Sequence, residues 1–519
     1  MPARAGQKPK PAPMRMLTKT DFTRFLQCGK YLWLSKFKKE LALPPDEHMK
    51  RIFEQGHEVE AFADELFKGG VCVEADDIFD AERESRALVE KGCKTIFHAT
   101  AIAKATKSAA KPQLMAEADI IKYNPKAKAW DLYEVKSTNS VQDKHIPDVC
   151  FQKITFQKAG YKINKTYLVH LNREFVKNGP IDPEKLIMKE DISDRVKEME
   201  LSVEKNIPFA LAVLQEQEEV HVRIVKQCRN PNDCLFIPHC WRDVPKYSVY
   251  ELTSIKEAKL VELLDKGIVK IKDVPGDFPL SRYQSLQVKA VKTREPVIEK
   301  EKFRKALKSL KYPLYFLDYE TFGSAIPVWD GTKPHQQIPF QYSLHVARGP
   351  EDLMLGEKEL EHNEFLARGK ENPMPALLKQ LKRDMDTNKG TVLVWNKGFE
   401  MDKNRKMAAL YPRYKSFLES VNERVFDLMG PFKSRLFVDK DFEGTCSLKY
   451  VLPVLGGGVS YEDLEISEGS DVGRQWYLTN FGGLPEAEIK RIRRMLLEYC
   501  GRDTYAIVRV LRTVKKMVE

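Results

Sequence analysis

No run of apolar residues in this 519-residue chain approaches the length of about 20 that crosses a bilayer, so no membrane partner is expected. The opening 16 residues are basic and rich in proline and alanine, yet they lack the apolar segment of a secretory signal. They read as a disordered tail on a cytoplasmic protein. Cysteine is scarce and odd in number, nine in all, which argues against a disulfide framework as the organiser of the fold. Neither sign of charge dominates: 86 Lys and Arg stand against 75 Asp and Glu, a net +11. That excess suits a nucleic-acid partner without requiring one. The hydrophobic fraction of 42% is that of an ordinary globular protein, and the length allows about three domains.

What is present is a set of carboxylates in places where carboxylates are costly. Leu314 to Phe322 reads as a buried strand that sets Asp318 and Glu320 two residues apart, hence on one face. Two like charges side by side in an apolar run need a positive counterpart, and a divalent ion with oxygen ligands is the simplest. Thr391 to Trp395 reads as a second buried strand, with Asn396, Phe399 and Glu400 at the turn into a helix. On the C-terminal helix, Tyr499 and Asp503 are four apart and project from one face. This ordered series resembles the DEDD exonucleases of the DnaQ-like, RNase H-type fold. The resemblance implies that Asp318, Glu320, Glu400 and Asp503 bind two Mg²⁺ or Mn²⁺ ions and that Tyr499 orients the nucleophilic water. Glu400 departs from the family pattern, which has Asp there, and Asp402 is the alternative ligand. Asp427 is read as orienting its neighbours, and a helix from Gly444 to Leu455 as presenting Ser447 and Lys449 to a phosphate.

The first half carries a second series. Thr18 and Asp21 have capping-box spacing at the start of a helix, and residues 46–67 show a helical period that includes His57. Glu117 and Asp119 share a face of one strand; Glu134 and Lys136 share a face of the next. A following helix offers Gln152, with Gln157 as the alternative. In this order the residues resemble the RecB-like branch of the PD-(D/E)xK nucleases. The resemblance implies that His57, Asp119 and Glu134 are metal ligands, that Lys136 is catalytic and that Gln152 assists at the site.

Three cysteines, Cys228, Cys234 and Cys240, lie in a loop-like stretch, and Cys28 lies far upstream. This layout resembles the iron–sulfur RecB-type nucleases, among them the CRISPR-adaptation nucleases and the AddB-type helicase–nucleases. The resemblance implies a [4Fe–4S] cluster held by the four thiolates. The first spacing is wider than is usual there, and a zinc site, with His239 able to replace a thiol, is the alternative. Cys72, Cys93, Cys150, Cys446 and Cys500 are read as small buried residues.

The expected fold class is multi-domain α/β. A disordered tail (1–16) precedes a restriction-endonuclease-like domain with the cysteine cluster (17–245). A small helical spacer (246–310) then leads to an RNase H-like domain (311–519). The order resembles an uncharacterised bacterial family in which a RecB-like nuclease domain is fused to a DnaQ-like exonuclease domain. The expected function is a metal-dependent nuclease, an exonuclease, acting on single strands or ends, with DNA preferred to RNA. The alternative is a nucleic-acid-binding or scaffold protein in which one or both sites are inactive.

Overall fold

Alternating apolar residues build two main sheets, one in each of two compact units of a mixed α/β chain. The structure is a computed structural model; it describes residues 16–109, 113–385, 389–465 and 469–519, without the side chains of Glu47, His48 and Ser470. The expected tail falls, for residues 1–15, outside the described residues. Among the described residues, the first unit comprises residues 16–44, 53–175 and 179–241, and the second residues 45–52, 176–178 and 242–519.

In the first unit the strands are β1 (Leu17–Thr18), β2 (Val71–Cys72), β3 (Thr95–Ala103), β4 (Leu114–Asn124), β5 (Ala129–Val135), β6 (Ile163–Leu171) and β7 (Ile187–Asp191). They form one sheet in the order β2-β3-β4-β5-β6-β7, and β1 pairs with the far end of β4. β4 and β5 are antiparallel with Ile120 opposite Tyr133, so Asp119 and Glu134 share a face, as the alternation predicts. The helix Ile146–Lys158 lies against that face, and Phe151 stacks on Phe22 of the helix Lys19–Gln27 at 5.1 Å. The opposite face is aromatic, with Tyr133 stacked on Tyr167 at 4.7 Å and Phe67 set edge-on to Tyr133. The helix Lys19–Gln27 begins with the predicted capping box: Thr18 Oγ1 accepts from the Asp21 N–H, and the Thr18 N–H donates to the Asp21 carboxylate.

The second unit holds β8 (Val297–Ile298), β9 (Leu314–Phe322), β10 (Ile338–Ala347), β11 (Glu361–Leu366), β12 (Thr391–Val394), β13 (Val425–Asp427) and β14 (Phe437–Val438). Five of them form a sheet in the order β11-β10-β9-β12-β13, antiparallel across the first three and parallel from β9 to β13; β8 pairs with β14. The parallel strands β12 and β13 end together, level with Leu317 and just before Asp318 on the longer β9, and open α/β sheets gather polar chemistry at that end. The 33-residue helix Glu486–Val518 buries Leu496, Tyr499, Cys500, Thr504, Ile507, Leu511 and Val514 at helical spacing against β9 and β10.

The expected spacer, residues 246–310, is part of this second unit. Its helices Glu257–Asp265 and Arg282–Thr293 enclose a small core of Leu260, Leu263, Ile271, Val274 and Val288. Basic side chains there serve the fold: Lys292 Nζ donates to the Val274 carbonyl at 2.6 Å and Arg304 Nε to the Val518 carbonyl at 2.7 Å. The helix expected from Gly444 begins instead at Leu448, because Gly444 adopts a φ of +77° that a helix does not accept.

Candidate functional site

Four carboxylates converge in the second unit. Asp318 and Glu320 project from β9 and face the long C-terminal helix, which supplies Tyr499, Cys500 and Asp503. Glu400 comes from the first turn of the helix Lys397–Leu410, which leaves the end of β12. Burial first, then Asp503, Glu320 and Glu400, push the Asp318 carboxyl far above its ordinary range; Glu320 is raised by burial, Asp503 and Glu400. Burial pushes Asp503 up to about 6 against the hydrogen bond donated by the Tyr461 hydroxyl. Burial and Asp427 push Glu400 up to about 8, with Lys403 opposing. Glu400 Oε2 is buried and has no protein partner. Four raised acids and an orphaned oxygen make a donor set that fits divalent cations. Asp402, the alternative ligand, is engaged by Lys403 at 2.9 Å and Lys406 at 2.8 Å, which hold its carboxyl below the usual range although burial opposes them.

Residues around the acids complete their setting. Asp427 accepts the Met429 N–H at 3.1 Å, and the Lys449 charge reaches Asp503. Tyr499 is buried, with its ring centroid 6.1 Å from that of Tyr461. Next to Asp503, the Thr504 hydroxyl meets Ser343 Oγ at 2.7 Å and His345 Nδ1 at 2.8 Å, fixing the helix against β10. Tyr461 was not legible in the sequence, since it lies in a segment without periodicity. Cys500 carried a signal that was missed: three residues before Asp503, it shares that residue's helical face. Cys500 and Cys150 are buried as expected, but Cys72 is exposed and Cys93 and Cys446 are half-buried, because their places at a short edge strand and in turns leave them uncovered.

In the first unit, Asp119 and Glu134 stand together where β5 parts from β4. The Val135 N–H, freed from the ladder there, donates to Asp119 Oδ2 at 2.6 Å. Lys136 Nζ lies 2.5 Å from Glu134 Oε1 and 3.0 Å from Asp148 Oδ2. Gln152 Nε2 donates to Glu134 Oε2 at 2.7 Å, whereas Gln157 is exposed. Burial and the Glu134 charge push Asp119 up to about 7. Burial would raise Glu134 too, but Lys136 and Lys19 outweigh it and hold that carboxylate low. Sequence reasoning missed Lys19, whose Nζ lies 3.0 Å from Glu134 Oε1 and 3.8 Å from Asp119 Oδ1. It also missed Asp148, although its place four residues before Gln152 on one helical face was a usable signal.

The expectation for His57 is corrected. Its imidazole is exposed on the helix Glu47–Asp64 and meets Glu60 at 3.3 Å. Among the described residues, the acids, imidazoles and thiols that gather three or more donor atoms within 4.8 Å are Asp318, Glu320 and Cys500, a group that includes neither His57 nor Asp119, Glu134, Glu400 and Asp503. One imidazole beside the acidic face is His98, opposite Asp119 in the β3–β4 ladder between the pairs Phe97–Ile120 and Ala99–Ala118, and His145 also senses Glu134 and Lys136. The φ of +54° at His98 is rare for a residue with a Cβ, and the His98 Nδ1 meets Glu117 at 3.2 Å.

The four expected cysteines gather in the first unit. The Cys28 and Cys228 charges act on both Cys234 and Cys240, and Cys28 acts on Cys228. Gln27 makes the meeting possible by donating to the carbonyls of Gln227 at 2.9 Å and Asn232 at 2.8 Å, across some 200 residues of chain. Burial pushes the Cys234 thiol up to about 12. His239 bonds Glu219 at 3.1 Å.

The sheets define a two-unit, mixed α/β protein, and no helix among the described residues is long and apolar enough to cross a membrane. Residues 315–447 match the family described as "Domain of unknown function (DUF2779)". The chain is similar to an uncharacterised protein of Mycoplasma pneumoniae, the MG366 homolog, at 24% identity over 52% of this chain and 42% of that one. It is also similar to uncharacterised protein MG366 of Mycoplasma genitalium (24% identity, 42% of this chain, 34% of that one). Uncharacterised protein UU173 of Ureaplasma parvum shares 23% identity over 53% of this chain and 41% of that one. The chain thus spans about two fifths or less of the length of these relatives. A superposition on the crystal structure of SSO0001 has a TM-score of 0.24 at 14% identity, covering 41% of this chain and 82% of that one.

Proposed function

We propose that the chain is a metal-dependent nuclease that hydrolyses phosphodiester bonds at single-stranded or frayed ends, with DNA preferred to RNA. The observation that carries the reading is the convergence of Asp318, Glu320, Glu400 and Asp503 from three separate elements beside Tyr499. In this reading the second unit is an RNase H-like exonuclease domain, and the order β11-β10-β9-β12-β13 supports it. The first unit is a restriction-endonuclease-like domain, supported by Asp119, Glu134, Lys136 and Gln152 in mutual reach.

A bound Mg²⁺ or Mn²⁺ supplies Lewis-acid stabilisation of the attacking and leaving oxygens. The chain's own residues hold and orient. Asp318, Glu320, Glu400 and Asp503 bind the ions. Tyr499, fixed by its burial, orients the water. Lys136 positions a phosphate oxygen near Glu134, and Gln152 holds the Glu134 carboxylate in place. The cysteines support a [4Fe–4S] cluster that ties Cys28 to the 228–240 segment.

A nuclease assay with Mn²⁺ on labelled single strands tests the reading. Asp119→Ala and Asp318→Ala are each expected to remove a separable activity; cleavage that survives both changes together refutes it. One observation favours a second reading, a nucleic-acid-binding protein with an inactive first unit: the Lys19 ammonium lies within 3.2 Å of both Glu134 oxygens, where a cation would sit. In that case Asp119→Ala leaves cleavage unchanged while nucleic-acid binding persists.

A further inference from the structure

Asp318, Glu320 and Cys500 each bring a donor atom within 4.8 Å of the other two. The thiol is fully buried, and its sulfur lies 3.8 Å from Asp318 Oδ2. A sulfur and an oxygen sharing one tetrahedral ion, at bond lengths of about 2.3 and 2.1 Å, stand about 3.6 Å apart, so little movement separates this arrangement from coordination. A second observation points to the same place: Glu400 Oε2 is buried at 3% exposure without a partner, and the Glu400 charge acts on both Asp318 and Glu320.

We propose that Cys500 is a third donor beside Asp318 and Glu320 in a cation site that takes thiophilic divalent ions of the zinc group in preference to Mg²⁺. The proposal rests on the reading of these acids as a divalent-ion cage. An all-oxygen cage selects hard ions, whereas one thiolate among carboxylates shifts the preference towards borderline and soft ones. Binding replaces the S–H bond with a sulfur–metal bond and releases one proton to solvent. A zinc-group ion seated there displaces Mg²⁺ from part of its cage and acts as an inhibitor.

The test uses the full chain stripped of loosely held ions. Cd²⁺ is titrated while the sulfur-to-cadmium charge-transfer absorption is read, and Mn²⁺ is titrated by electron paramagnetic resonance. Wild type is compared with Cys500→Ser, so that cadmium taken by the other cysteines cancels. The expected result is loss of one thiolate's absorption and a fall of about tenfold or more in affinity for one Cd²⁺, with Mn²⁺ affinity held within about twofold. Asp318→Asn, which keeps every cysteine, is expected to lose the same Cd²⁺ site and to weaken Mn²⁺ as well. If Cys500→Ser takes up Cd²⁺ like wild type while Mn²⁺ binds, the proposal is overturned and the cage reading stands. If wild type binds no Mn²⁺ and Asp318→Asn leaves the Cd²⁺ titration unchanged, both fall. Should Cys500→Ser fail to fold, Asp318→Asn decides: loss of a thiolate-absorbing Cd²⁺ site supports the proposal and an unchanged titration overturns it.

Discussion

Glu400 keeps an oxygen buried without a partner, and burial together with Asp427 pushes its carboxyl from 4.5 up to about 8. An acid raised in the folded state holds a proton that the unfolded chain has released, so stability falls as pH rises between the two values. His145 and His345, lowered by burial to about 4 and about 3, act with the opposite sign, but only below their unfolded value of 6.5. Between about 6.5 and 8 the slope therefore comes from Glu400, Asp119, Asp318 and Glu320, with His98, raised by Glu117, adding the same sign. Thermal melts of chelator-treated protein are expected to show the midpoint falling across that window, and added Mn²⁺ to flatten the fall. Glu400→Gln should raise the apo stability at pH 8 by about 1–3 kcal/mol and reduce the gain from Mn²⁺. A midpoint that is flat in chelator counts against a strained acidic cage.

At the scale of elements, the acids depend on helices seated closely on β9. Gly473, on the helix Gly469–Phe481, shows how closely: a Cβ there would stand 2.8 Å from the Thr321 carbonyl oxygen, next to Glu320. Backbone cannot yield as a side-chain tip can, so Gly473→Ala is expected to cost about 1–3 kcal/mol in urea unfolding and to weaken Mn²⁺ binding through the displaced end of β9. Thr504→Val keeps the shape but strips the partner from the buried His345 Nδ1 and leaves Ser343 with His362 alone. A loss of about 1–3 kcal/mol with near-native circular dichroism is expected. Much at this scale was legible. Period-two alternation paired Asp119 with Glu134, helical spacing joined Tyr499 to Asp503, and the Thr18–Asp21 spacing marked a real capping box. The illegible parts are those that long loops close. The pairing of β1 with β4 sets Lys19 against Glu134, 115 residues away, and no local period encodes that meeting. His57 misled because a histidine on an amphipathic helix carries no mark of which face it serves.

For the whole molecule, the sequence divided the chain near residue 245 and read the 246–310 stretch as a separate helical spacer, whereas the second unit runs from residue 242 through that stretch to 519. The bond from Arg304 to the Val518 carbonyl, the bond from Arg435 to Thr253 and the pairing of β8 with β14 tie that stretch into the second unit, and a run of Lys and Arg reads the same whether it faces solvent or spans a fold. The four thiols give the last prediction. Tetrahedral zinc, with bonds of about 2.3 Å, draws its sulfurs to about 3.8 Å from one another. Cys28, Cys228, Cys234 and Cys240 act on one another through their charges, and the proposed [4Fe–4S] cluster would take all four thiolates. Protein purified without oxygen is expected to be brown, with visible absorption that bleaches on oxidation and about four irons per chain by metal analysis. Because the two units have separate cores, Cys234→Ser should bleach the protein and lower the melting of the first unit while Mn²⁺ binding by the second persists. A colourless protein with one zinc per chain would instead assign the thiols to a single zinc ion.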